Sequence, residues 1–280
     1  MRLAWEPRAG IAYNGNMTYS ANQREPLEAF ADFHLLGEVD FDAALALQRR
    51  LVFEAGERHA PRISVLLCEH PELITVGRDG SRGDIRLSPD ELRERRLEVR
   101  WLGRGGGCVV HGPGQLAIYP IVPLANFGWT VGEYLRRLHQ GLADGLAELG
   151  ASVQSRPGRF GVWGRTGQLA VVGAAVQYNV AWQGAFINVN PTSRAMGYVE
   201  TYPARQQKRD AVSPTAPVDK PEMSSLLAER GRPAKMTTVR AALIGALAAA
   251  WGCERYHLFT GHPLLTSLLQ QHRESTVRAF

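Results

Sequence analysis

Cysteine is scarce in this 280-residue chain, which holds only Cys68, Cys108 and Cys253. An odd number at wide spacing argues against a disulfide framework or a zinc ligand pattern. Long apolar runs are missing too. The most apolar stretch, Ala241 to Trp251, is alanine-rich and too short to cross a bilayer, which takes about 20 residues. The opening MRLAWEPRAGIAYNG lacks the apolar core of a secretory leader. There is no internal repeat, no dividing linker and no tract of like charge. The net charge of +5 is spread as arginines among acids, a weak footprint for nucleic acid but one that suits an acidic partner protein. These absences lead us to expect a soluble, cytoplasmic protein without a metal site.

What is present is enough for a packed core, with 45% hydrophobic residues. Glycine is concentrated in one place, Arg104 to Pro120, RGGGCVVHGPGQLAIYP. Glycine lets a ligand approach the backbone closely, and a row of N–H groups there can cradle a carbonyl, carboxylate or phosphate. The plain alternative is a hairpin whose glycines serve turn geometry alone. An arginine and a histidine at the two ends of the run favour a ligand site.

Phe33–Val39 reads as a first strand, and Asp40–Gly56 as a helix with Asp42 as its cap and Leu45, Leu47, Leu51 and Val52 at helical spacing. Ile63–Cys68 is a strand broken by Glu69-His70-Pro71, and Arg78–Asp84 is a glycine-rich loop. Ser88-Pro89-Asp90-Glu91 starts a helix. Its Arg93, Arg95 and Arg96, with Arg100 beyond, read as a solvated face. Leu97–Leu102 and Gln115–Val122 are strands flanking the glycine loop, and Thr130–Leu149 is an amphipathic helix ended by Gly150. Gly161–Trp163, Leu169–Ala175 and Ala185–Val189 read as further strands, with turns at Gly164–Gly167 and near Trp182–Gly184. Thr237–Trp251 and Leu264–Gln271 read as helices. The pattern predicts one α/β (α+β) domain over 31–205, a mixed sheet packed with helices. Residues 1–30 form a polar extension, and 206–280 an extension whose helices pack on the same domain.

RGGGCVVHGPGQLAIYPI resembles the signature of the octanoyltransferases of lipoate synthesis (lipoate-protein ligase B). The segments from Glu69-His70-Pro71 to Thr75-Val76-Gly77-Arg78, Gly161-Val162-Trp163, Gln168 to Gly173 and Gln183 to Asn190 follow in that family's order and spacing. The resemblance implies the lipoate/biotin protein ligase-like fold and no cofactor. It implies transfer of an octanoyl group from acyl carrier protein to a lysine of a lipoyl domain, the octanoyl-[acyl-carrier-protein]:protein N-octanoyltransferase reaction. The substrate-binding residues it implies are Arg78, Arg104, Gly105, Gly106, Gly107, His111, Val171, Val172, Gly173, Gly184, Ala185 and Phe186.

The family's reaction runs through a thioester on an enzyme cysteine activated by a lysine. Here Gln168 stands at the lysine position and Tyr202 at the cysteine position, with Thr201 or Pro203 one residue either side. Gln183 stands where the family usually has a histidine. Cys108 is a weak candidate nucleophile beside His111, because on a strand the two side chains point to opposite faces. Two readings stay open: an octanoyltransferase working through an altered site, and a non-catalytic binder of an octanoyl or lipoyl group or of its carrier.

Overall fold

The computed structural model describes residues 28–58, 60–154, 161–201 and 223–265. Nearly all of the N-terminal extension, Tyr202, and the last helix beyond Leu265 lie outside the described residues. Among the described residues, ten strands make two sheets. Seven of them lie in the order β10-β1-β2-β6-β9-β8-β7, and three in the order β4-β3-β5.

The large sheet starts with β1 (Phe30–Glu38) and β2 (Arg62–Glu69), parallel neighbours linked by helix α1 (Phe41–Glu57). The cap of α1 is Asp40, whose carboxylate accepts from the Ala43 amide at 2.9 Å. Asp42, one residue inside, instead pairs with Arg100 at 2.9 Å. The run Leu73–Val76, part of the Glu69–Arg78 motif, is strand β3, and all four residues are buried. It pairs with β4 (Glu98–Trp101) and β5 (Cys108–His111). Between them, the short helix α2 (Pro89–Glu94) carries the arginine-rich face. Arg93 pairs with Asp90, and Arg95 lies over the Tyr198 ring.

The strand β6 (Gln115–Pro123) is buried along its whole length because layers cover both faces. One turn of helix, α3 (Leu124–Phe127), leads into α4 (Val131–Glu148), which is capped by Thr130. The turn expected near Trp182–Gly184 falls earlier, at Tyr178 and Asn179, both with positive φ. This two-residue turn joins β8 (Gln168–Gln177) to β9 (Val180–Asn188), so Trp182–Gly184 lie inside a strand. The edge strand β7 is only Val162–Trp163.

The described residues 223–265 contribute to the same core. After α5 (Ser193–Met196) and α6 (Leu226–Arg230), the helix α7 (Met236–Trp251) packs along α4. Gly141 and Gly145 allow that approach: a Cβ at Gly141 would lie 2.9 Å from the Leu247 Cα. The strand β10 (Arg255–Thr260), which shows no clear signal in the sequence, then joins the sheet parallel to β1. The α4 and α7 helices cover one face of the large sheet and α1 the other. No helix among the described residues is long and apolar enough to cross a membrane.

Candidate functional site

The site forms where the edge of β8 away from β9 runs out of strand partners. β7 covers it only at Gln168 and Ala170. Further along, the glycine loop takes over the open edge, and the Gly105 amide donates to the Ala174 carbonyl at 2.9 Å. That loop is laced to residues 77–79. The Gly77, Arg78 and Asp79 amides donate to the carbonyls of Gly107, Arg104 and Gly106 at 3.1, 2.9 and 3.1 Å. The Asp79 carboxylate accepts from the Gly106 amide at 3.0 Å. Two glycines let three segments meet at backbone distance. A Cβ at Gly77 would lie 2.3 Å from the Gly106 oxygen, and one at Gly173 would lie 2.6 Å from the Gly105 oxygen.

Beside this junction is a cavity of about 340 Å³, within the range of small-molecule sites. Arg78, Asp79 and Gly105–Gly107 form one wall, the β8 residues from Val171 to Val176 another, and Val131 and Leu135 of α4 a third. Gln168 and Thr201 also line it. Of the residues expected at a substrate site, Arg78, Gly105, Gly106, Gly107, Val171, Val172 and Gly173 therefore border the cavity. The amides of Gly105 and Gly106 are already bonded within the protein. The glycine run acts through close packing, and those two amides are not a free cradle.

Arg104, His111, Gly184, Ala185 and Phe186 do not reach the cavity. They form what lies behind it. Arg104 is fully buried, and its Nη2 donates to the Thr75 hydroxyl at 2.8 Å. Burial lowers its guanidinium to about 10, still charged at neutral pH. The Thr75 hydroxyl meets His111 Nε2 at 2.8 Å, and His111 Nδ1 meets Gln115 Oε1 at 2.8 Å. Gln115 Nε2 donates to Asn188 Oδ1 at 3.0 Å, and Asn188 Nδ2 donates to the Ser224 carbonyl at 3.0 Å. The Ser224 amide closes the chain on the Gln168 carbonyl at 2.9 Å. Burial, with His70 and Arg104 nearby, holds His111 well below its usual pKa, so it is neutral in this chain of bonds. The arginine, histidine, glutamine and asparagine of the motifs thus tie the two sheets together. Gly184 is a packing residue, since a Cβ there would lie 2.1 Å from the Ile118 oxygen. Ala185 and Phe186 are fully buried in the two cores.

Gln168 is buried at the cavity edge, and its Nε2 donates to the Ala170 carbonyl at 3.3 Å. The turn before it is fastened from α6. The carboxylate of Glu229 accepts from the Thr166 amide at 3.0 Å, the Thr166 hydroxyl at 2.9 Å, and the Ser152 and Arg165 amides at 3.2 Å each. Burial alone would raise its pKa, but these bonds outweigh burial and hold it at about 2.

The thiols lie elsewhere. Cys108 is fully buried among Ile74, Val76, Ile85 and Leu97, with its Sγ 3.7 Å from the Ser81 carbonyl. Strand geometry turns it to the face opposite His111. Cys68 packs in the α1 core against His70, and burial pushes its thiol far up. Cys253 packs in the α4/α7 core and is pushed up to about 11. Two groups of lining residues were not legible as such. Val131 and Leu135 show only as helix-face residues, and Ala174–Val176 only as strand.

The family model of the lipoyl protein ligase A/B catalytic domain matches residues 40–248. An octanoyltransferase of Geobacter metallireducens is 35% identical over 210 residues, covering 75% of this chain and 88% of the relative. One of Geotalea uraniireducens is 37% identical over 154 residues, covering 55% and 68%. The fold matches a putative lipoate protein ligase of Thermoplasma acidophilum solved with bound lipoic acid, at TM-score 0.65 and 13% identity over 89% of this chain and 96% of that one. It also matches a lipoate-protein ligase A solved with bound ATP, at TM-score 0.64 and 13% identity over 88% and 94%. With the family model spanning most of its length and a relative 35% identical over 88% of that protein, this chain belongs to the octanoyltransferase family of lipoate metabolism.

Proposed function

We propose that this protein takes an octanoyl or lipoyl group, presented by acyl carrier protein or a lipoyl domain, into the cavity beside β8, and holds it without forming an enzyme thioester. One observation carries the reading. The chain has three cysteines, all three are among the described residues, and each is packed in a core away from the cavity. Covalent transfer of the family's kind needs a thiolate at the acyl carbonyl. Gln168 and Thr201 line the cavity, and the family resemblance puts the reacting carbonyl beside them. An amide can donate a hydrogen bond to a carbonyl but offers no charge to activate a nucleophile, and a threonine hydroxyl needs an adjacent base to attack. Apolar walls of valine and leucine suit a hydrocarbon chain, and Arg78 at the rim suits an acidic carrier.

A second reading is octanoyl transfer from carrier to lipoyl-domain lysine through a rebuilt site. What favours it is the 32–37% identity to proteins named octanoyltransferase. Incubation with octanoyl carrier protein and a lipoyl domain, followed by intact-mass measurement of all three proteins, separates the two. The first reading expects saturable binding of the octanoyl carrier with unchanged masses. An octanoyl group appearing on the lipoyl domain at a rate that depends on this protein overturns it in favour of the second.

A further inference from the structure

Resting on the acyl-holding reading, we infer that the cavity is open at its far end and that this protein accepts straight-chain acyl groups longer than eight carbons, with Val131 and Val176 flanking the exit. The cavity touches β8 at Gln168 and again from Val171 to Val176, a span that begins at Gln168 and ends at Val176. That is eight residue steps, about 26 Å of strand at about 3.3 Å each. An eight-carbon chain has seven carbon–carbon bonds of about 1.5 Å, at most about 11 Å end to end. An octanoyl group with its carbonyl at Gln168 and Thr201 leaves the far part of this wall uncovered.

Beyond Gly173 the β8 wall is Ala174, Ala175 and Val176, and α4 faces it with Val131 and Leu135. Among the described residues no aromatic side chain lines the cavity; its charged side chains, Arg78 and Asp79, belong to the wall beside the glycine loop. Val131 is 42% exposed and Val176 45% exposed, although both line the cavity. An apolar side chain that touches both the cavity and solvent marks a mouth. The two valines sit on separate elements, the first residue of α4 and the end of β8 next to the Tyr178–Asn179 turn. A longer tail can leave between them.

The two geometries give different affinity series. Each methylene buried along an apolar wall strengthens binding about fourfold. In an open groove the gain continues past eight carbons and then levels off, because later methylenes sit in water. In a closed pocket binding falls once the tail meets the end wall, since overfilling a packed site is costly. Titration calorimetry with straight-chain carboxylates of 6, 8, 10, 12 and 14 carbons, each below its micelle concentration, reads the series. The expected result is a steady gain through 10 carbons and no loss at 14.

Val176→Trp and Val131→Phe add bulk at solvent-exposed positions, where the fold tolerates it. They are expected to lower the ratio of 14-carbon to 8-carbon affinity by more than tenfold. Octanoate binding with collapse at 12 and 14 carbons in the unmodified protein overturns the open end alone. So does an unchanged ratio in both variants. Absence of binding at every chain length overturns the acyl-holding reading and this inference with it.

Discussion

The two ends of the β8 cleft are built by opposite rules. Around Gly105–Gly107 each segment is fixed more than once. Backbone bonds lace the loop to residues 77–79 and to Ala174, glycines remove the atoms that would keep the segments apart, and Arg104 anchors the loop from behind. At Gln168 the strand is also held, by Glu229 on the turn before it and by the Ser224 amide on its carbonyl, yet Gln168 and Thr201 present neutral side chains to the cavity. The first region takes its shape from backbone approach and buried hydrogen bonds, and under the proposed function the second presents neutral side chains where the family resemblance expects reactive ones.

The contrast breaks most completely if reactivity can be put back. Gln168→Lys combined with Tyr202→Cys restores an ammonium and a thiol at the family's spacing. The double variant is expected to go from no adduct to a covalent octanoyl adduct after incubation with octanoyl carrier protein, read by intact mass and removed by hydroxylamine. No adduct would mean that the neutral end has also lost its geometry.

Gly173→Ala attacks the other end. The new Cβ would press on the Gly105 oxygen at 2.6 Å and on Arg104 at 3.3 Å. Overpacking of this kind costs about 3 kcal/mol, and acyl binding is expected to weaken more than tenfold by calorimetry. Full binding would show that the loop can shift without closing the cavity.

Glu229→Gln tests how the neutral end is held. Removing a buried carboxylate from its donors costs about 2 kcal/mol at pH 7, read by urea denaturation. The carboxyl sits at about 2 when folded, below its free value of about 4.3. Its contribution is therefore complete above the free value and is lost as pH falls from there through about 2. The gap between variant and parent is expected to close over that window. A gap that persists at pH 2 would mean that shape, not charge, holds the turn.

Cys108→Ala should do least. Loss of a small buried side chain costs about 1 kcal/mol by denaturation, with no change in acyl affinity because the sulfur faces away from the cavity. Loss of binding would return Cys108 to the site.

Much of this was legible in the chain itself. Periodic leucines marked α1 and α4, and Ser88-Pro89 marked the start of α2, because these signals act within a few residues. That the chain holds only three cysteines was equally plain, since counting residue types needs no coordinates. Three things were not. The strand β10 carries no strong pattern of its own, and its place is set by pairing with β1 more than 200 residues away. The hairpin turn moved to Tyr178 and Asn179, where the chain takes two positive φ values that residue type alone did not announce. The division of the motif into cavity wall and backing also came only from folding. Arg104 and Gly105 are adjacent in sequence, yet one is sealed behind the loop and the other faces the ligand space. The sequence by itself determined the family and most of the element types, since each is a property of local pattern or composition. Only the tertiary structure decided which polar groups are spent on holding two sheets together and which are left to meet a ligand, because hydrogen bonds between distant strands leave no periodic trace along the chain.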